Sequence, residues 1–268
     1  MVQARQLVKR VSRMTDVVLA RGPGVTVLLY HRVGGGSDSE VDLPVDQFEA
    51  QLQHLAQHAE VVSLDTAVAD LVAGIDAGPR VEITFDDGTA DFTDHAVPAL
   101  SRHGLPATLY AATKFIDEQV EFPWGAPPVS WAALRDAEST GLITIGSHTH
   151  SHWLMDRLEP TMVTDDLDRS IELITEHIGT APAHFAYPKA LPGSPVAEIE
   201  VRRRFTSAAL AASRVNTAGA TDVHRLWRTP VQRSDGPRYF QAKASGGMRL
   251  EGQLRALSAK AKYRRSTR

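Results

Sequence analysis

Short continuous apolar runs recur along the chain, separated by stretches in which apolar residues return every three or four positions. The continuous runs read as strands buried on both faces, the pattern of a parallel sheet. Val25-Thr26-Val27-Leu28-Leu29-Tyr30 is the first; Val61-Val62, residues 81–85, Leu105 to Ala112, Leu142 to Ile145, His184 to Tyr187, Phe205 to Ala211 and Leu226 to Val231 follow. Helical spacing predicts helices through Leu55, from Asp65 to about Ala73, from Asp94 to His103, from Ser130 to Thr140 and, longest, over 161–178. Gly104 and Gly141 stop two of these, and Asp46 with Glu49 three residues on resembles a capping box for the first. Leu7, Val11, Met14 and Val18 predict an amphipathic helix before Gly22-Pro23-Gly24, and a basic helix follows Gly247. Strand alternating with helix predicts an α/β protein with a mostly parallel sheet and helices outside it. The units suffice to close a distorted (β/α)7-8 barrel. No repeat or linker composition divides the chain. The expected organisation is a basic helix over 1–22, a barrel over 23–245 and a basic helix or tail over 246–268.

At 268 residues, 43% of them apolar, the chain has material for a full core, and there is no apolar run long enough to cross a bilayer. The first twenty residues are basic without the apolar core of a secretory signal, so the chain reads as cytoplasmic, with an export signal upstream still open. The absence of cysteine excludes disulfides, thiolate zinc sites and cysteine nucleophiles. Residues 1–21 carry a net +4 and residues 249–268 a net +6, which leaves −13 for the body of a chain whose total is −3. An acidic body argues against nucleic acid as a partner. The basic ends suit peripheral contact with an anionic membrane surface or, more plainly, solvation. Nothing in the chain fixes an oligomeric state.

Chemistry concentrates at two strand ends. Val81-Glu82-Ile83-Thr84-Phe85-Asp86-Asp87-Gly88 ends a buried strand in two carboxylates and a glycine, and Ser147-His148-Thr149-His150-Ser151-His152 follows another strand about sixty residues later. An isolated Asp-Asp-Gly describes an ordinary turn. Paired with histidines four apart, it reads as one metal site. His31 ends the first strand and is either a functional group or a satisfied core histidine. His150 shares a face with its neighbours in an extended segment and points away in a helical turn.

These residues resemble two signature motifs of the polysaccharide deacetylases, carbohydrate esterase family 4. Residues Pro98 to Leu100, His103 to Thr108, Phe185-Ala186-Tyr187-Pro188 and Leu29-Tyr30-His31-Arg32-Val33 extend the likeness, toward the poly-N-acetylglucosamine deacetylase branch, over roughly 25–235. The resemblance implies Asp86 as general base, Asp87, His148 and His152 as metal ligands with His150 outside the set, and the Lys189 amide as oxyanion donor. One carboxylate and two imidazoles leave a divalent ion open to water and substrate, zinc first by ligand type, with cobalt or nickel also suited. Many family members draw a general acid from a histidine on a late strand. No such motif occurs here, and His31 on the first strand has the same physical form, as in a circularly rearranged barrel.

The implied function is removal of acetyl groups from an N-acetylated sugar in a polysaccharide or glycan precursor. An O-acetyl esterase, another amide hydrolase on the same barrel and a non-catalytic glycan-binding relative remain alternatives. A two-histidine-one-carboxylate iron oxygenase fits the strand–helix alternation poorly. Ala186 stands where the third motif commonly has arginine, which removes an expected tether for Asp86. Lys189, Ala190 and Thr89 also depart from the family pattern, and Trp153 and Trp227 are open as packing or sugar-stacking residues.

Overall fold

The computed structural model describes residues 7–13 and 24–263. The continuous apolar runs become parallel strands because no polar face is needed where helices cover one side and the barrel interior the other. Strand β1 (Gly24–Tyr30) is followed by a two-stranded annex, β2 (Arg32–Val33) with β3 (Asp42–Leu43), and by β4 (Glu60–Val61), which pairs with the start of β5 (Pro79–Asp87). Then come β6 (Ala107–Ala111), β7 (Ile143–Ser147), β8 (His184–Ala186), β9 (Ser207–Ala209) and β10 (Arg228–Pro230). The order β10-β1-β5-β6-β7-β8-β9 is parallel throughout, and a parallel bridge from Ala209 to Leu226 brings the two ends together. The result is a nearly closed seven-stranded barrel.

Helices α2 (Val45–His58), α3 (Leu64–Ala73), α4 (Val97–His103), α5 (Thr113–Glu118), α6 (Trp131–Glu138), α7 (Pro160–Ile178), α8 (Pro195–Arg204), α9 (Gly236–Ala244) and α10 (Arg249–Tyr263) follow α1, described over residues 7–13. Strand β5 shows how the layers divide. Val81, Ile83 and Phe85 join the outer core with Phe48, Leu52 and Leu55 of α2. The alternate set, Glu82, Thr84 and Asp86, is buried as well and turns inward, as the two-residue period of a strand requires. Each fully buried side chain of the outer layer contributes about 1.5–3 kcal/mol. Helix α3 lays Leu64, Val68 and Leu71 against Tyr110, Ala186 and Ala209.

Three local expectations give way. Pro44, not Asp46, stands at the N-cap of α2 and makes no side-chain cap, so Asp46 acts from within the first turn, as a charge and as acceptor of the Gln47 amide at 2.8 Å. The segment expected as helix from Asp94 opens as a π-turn over Phe92–Ala96, and α4 proper begins at Val97. In the described part of α1, Leu7 and Val11 face outward while Lys9 and Ser12 are buried, the reverse of an apolar stripe packed on the barrel; Met14 and Val18 lie outside the described residues. Helices α5, α8 and α9 were not expected at all.

Polar chemistry explains the inverted helix. The Lys9 ammonium donates to Asp235 at 2.8 Å, and Lys243 of α9 donates to the same carboxylate at 2.9 Å and to the Pro230 carbonyl at 2.8 Å. Asp235 also accepts the Gln232 amide at 2.7 Å, so one buried carboxylate ties α1, α9 and the segment after β10 together. Burial raises its pKa, but the charges of Lys243 and Lys9 outweigh that and hold it below the ordinary value. A carboxyl lowered in the folded state stabilises above its unfolded pKa, and that stability fades as pH falls through the folded value. Asp235→Ala is expected to cost about 3–5 kcal/mol in urea denaturation at neutral pH, because two buried ammonium groups lose their partner. The difference from the parent should shrink on acidification below the ordinary carboxylate range.

Candidate metal centre

Strand β5 ends in a sharp turn: Asp87 adopts a left-handed φ of 77° and Gly88 one of 95°. Asp86 and Asp87 thus leave adjacent positions in different directions, both almost fully buried. The loop after β7 is shaped by its own hydroxyls. Ser147 Oγ accepts the Thr149 amide at 3.2 Å, and Thr149 Oγ1 accepts the His152 amide at 2.9 Å. Asp166 of α7 accepts the amides of His150 at 3.0 Å and Ser151 at 2.9 Å, clamping the stretch between the two candidate ligands. Thr149 and His152 hold left-handed φ values of 68° and 57° within this loop.

The consequence is convergence. His152 Nε2 lies 3.3 Å and His148 Nε2 3.6 Å from Asp87 Oδ1, and one donor atom from each of the three residues lies within 4.8 Å of the others. Bonds of about 2.0–2.1 Å at tetrahedral angles separate ligand atoms by roughly 3.4 Å, so this donor set fits a divalent ion. His148 Nδ1 sits 2.8 Å from the Ala186 carbonyl, which leaves Nε2 to face the other donors in the neutral tautomer. Burial pushes the His148 ring down to about 4 against the pull of Asp86, so it is neutral, as a ligand must be. Asp87 is also held low: burial raises it, but His152 and the neighbouring rings prevail. His150 turns aside to Thr113 Oγ1 at 3.0 Å and lies outside the cluster.

Asp86 is held by a residue that the motif pattern does not contain. Arg228 of β10, fully buried, donates both terminal nitrogens to the two Asp86 oxygens at 2.5 and 2.8 Å. The missing motif arginine at Ala186 therefore does not leave Asp86 untethered; the guanidinium arrives from β10, two strands away across β1. Burial raises the Asp86 carboxyl, and Arg228 first, then His148, bring it below its ordinary value. The sequence signal was an arginine inside the apolar run Leu226 to Val231, a position that only a buried partner makes tolerable.

His31, at the end of β1, lines the same cavity of about 410 Å³ as Asp86, Asp87, His148 and His152. Its ring is lowered by burial, opposed by Asp87 and Asp86. Lys189 also lines the cavity; it and Ala190 hold left-handed φ values of 56° and 55°. The Lys189 ammonium lies 4.9 Å over Trp124, whose ring stacks on Phe122 at 5.0 Å and approaches His152 at 6.0 Å. Trp124 is thus an exposed aromatic beside the candidate ligands, and nothing in its local sequence marked it. Trp227 lines the cavity.

Removing one partner of a buried ion pair strands the other charge. Arg228→Met is therefore expected to destabilise the protein by about 3–5 kcal/mol in chemical denaturation, while the Asp87, His148 and His152 donor set persists. The double variant Arg228→Met with Asp86→Leu should regain most of that loss, which a merely steric role for Arg228 would not produce.

The model of the polysaccharide deacetylase family matches residues 74–202. The poly-beta-1,6-N-acetyl-D-glucosamine N-deacetylase of Staphylococcus aureus (strain MSSA476) is 28% identical over 155 residues, 54% of this chain and 52% of that protein. Among solved structures, IcaB from Ammonifex degensii aligns with a TM-score of 0.74 and 26% identity, over 84% of this chain and 98% of that one. The deacetylase PplD of Streptococcus pyogenes, solved in complex with acetate, shares the fold at a TM-score of 0.73 and 18% identity, over 83% of this chain and 99% of that one. The chain spans about half the length of the curated relatives it matches. The matched segment holds β5 to β8 with the paired aspartates and both candidate histidine ligands, and over that segment the chain is similar to the polysaccharide deacetylases.

Proposed function

We propose that the protein is a metal-dependent hydrolase that removes the acetyl group from an N-acetylated sugar of a polysaccharide or glycan precursor. The observation that carries this reading is the convergence of Asp87, His148 and His152, with Asp86 beside them but tied to Arg228. Those three residues would hold a divalent ion, zinc first by its donors, which would supply a Lewis acid for the acetyl carbonyl and acidify a water for attack. Asp86 is the base that takes the water's proton; Arg228 keeps it ionised and fixes its plane. The Lys189 backbone N–H is assigned to the oxygen on which charge develops in the tetrahedral species, since Pro188 has no N–H to give. His31, across the cavity, is assigned the proton that the leaving nitrogen needs. Trp124, stacked on Phe122 and covered by Lys189, bounds the site beside His152.

Poly-β-1,6-N-acetylglucosamine is what the Staphylococcus aureus relative's name gives as its substrate, and N-acetylglucosamine is accordingly the sugar with which to begin. Acetate release from N-acetylglucosamine oligomers should require added zinc or cobalt in chelator-treated protein. His148→Ala should abolish both stoichiometric metal binding, read by atomic absorption, and turnover. Asp86→Asn should lose turnover by about a hundredfold or more yet keep the metal. Turnover without metal, or full activity in Asp86→Asn, overturns the reading. His31→Ala is expected to lower kcat by about a hundredfold or more with metal content unchanged; loss of metal in that variant would make His31 a structural residue of the centre instead.

A further inference from the structure

We infer that the acetylated sugar reaches this site on an aliphatic phosphate, with Arg255 gripping the phosphate and the apolar wall of the cavity taking the chain beyond it. The inference rests on the deacetylase reading and adds to it the chemical class of the carrier.

The cavity that holds Asp86 and Asp87 extends past the candidate metal ligands to the C-terminal helix α10. Its wall is not that of a polar glycan groove. Leu29, Val41, Leu191, Leu210, Trp227 and Val231 make up much of it. Three cations, Lys189, Arg225 and Arg255, share that wall. The carboxylates among the described lining residues are Asp86 and Asp87, and both are committed, one to Arg228 and the other to the ligand cluster. The wall therefore presents positive charge to whatever lies beyond the reacting acetamide.

The three cations differ in availability. Arg225 is engaged by Glu198, its terminal nitrogen 2.5 and 2.7 Å from the two carboxylate oxygens. Lys189 packs on Trp124. Arg255 has no ion-pair partner among the described residues, although it reaches a cavity rather than open solvent. Its placement is built in. A Cβ on Gly252 would lie 2.5 Å from the Ser213 backbone nitrogen, so α10 approaches the barrel there as closely as only glycine permits. Arg255 follows three residues later on the same helical face, directed at the mouth by that contact. At the other end of this approach, Glu251 of α10 pairs with the buried Lys243 at 3.2 Å.

Charge then selects the substrate. Each acetyl removed from a neutral polymer leaves an ammonium, so a partly deacetylated chain is a polycation that this wall repels. A phosphate diester is attracted, and a guanidinium binds it through paired hydrogen bonds. The aliphatic residues around the cations have no use for sugar hydroxyls and suit a hydrocarbon chain attached to the phosphate.

The test compares three N-acetylglucosamine substrates with the zinc-loaded full chain: a farnesyl-phosphate-linked sugar, N-acetylglucosamine 1-phosphate, and a neutral chitooligosaccharide. Amine release should give a kcat/KM at least about tenfold higher for the farnesyl-phosphate sugar than for the neutral oligomer. Arg255→Gln should remove about tenfold on both phosphorylated substrates and leave the neutral one unchanged, and Arg255→Lys, which keeps the charge without the paired hydrogen bonds, should recover part of that loss. Equal kcat/KM for the two phosphorylated substrates overturns the aliphatic half and leaves a phosphate subsite for soluble sugar phosphates. Equal turnover of charged and neutral substrates, or an equal loss on all three in Arg255→Gln, overturns the inference while leaving deacetylation intact. If none is hydrolysed, the deacetylase reading itself fails. Calorimetry with farnesyl phosphate, which carries no acetyl group, separates the two: binding weakened by Arg255→Gln supports the phosphate site, and binding indifferent to it overturns the site.

Discussion

The bidentate pair between Arg228 and Asp86 is the interaction on which the rest of the molecule turns. Strand β10 is short, pairing with β1 through three residues and touching the β9 end through the bridge at Leu226. Arg228 reaches past β1 to β5, so the strand that closes the barrel is fastened through its side chain as well as its backbone. Desolvating two charges is costly, and geometry this good is what offsets it. The same contact fixes the position and ionisation of the carboxylate that abuts the candidate metal ligands. Closure of the fold and ionisation of that carboxylate depend on the same contact.

The second constraint is the loop after β7. Two histidines four residues apart converge only if the chain between them turns tightly, and Ser147, Thr149 and Asp166 supply the acceptors that make it do so. Asp166 comes from α7, the longest helix, which packs against β7 and both neighbouring helices. A surface element thereby fixes the geometry of the candidate ligands without joining their cluster.

Much of this was legible in the sequence. Residues 81–85 and Leu142 to Ile145 read as short buried strands, the structure carries them on to Asp87 and Ser147, and the polar residues that follow include the candidate ligands that it brings together. Helices with a clear stripe, such as α7, were found within a residue or two. Helix α8 was missed because five of its ten residues are arginine or glutamate between few apolar positions, and only Ala197 and Val201 are buried. Helix α9 begins Gly236-Pro237, which reads as a break, although proline is well placed in a first turn. Arg228 and Asp166 were not legible as site residues because their meaning is pairwise. A lone arginine or aspartate acquires a role only when another strand or loop is placed beside it, and no local pattern encodes that neighbour. The polarity of α1 failed for the same reason: Lys9 is buried because Asp235, more than two hundred residues away, awaits it.

Five non-glycine residues at the mouth of the barrel hold left-handed backbone: Asp87, Thr149, His152, Lys189 and Ala190. For L-residues each costs roughly 1–2 kcal/mol, and such conformations persist only where the surroundings overrule them. That end of the molecule therefore opposes the folding free energy that the apolar belt between strands and helices provides. Heating should loosen this rim before the sheet melts, so thermal inactivation precedes loss of secondary structure. Occupancy of the centre by its ligand would narrow the gap by mass action, because only the ordered rim binds.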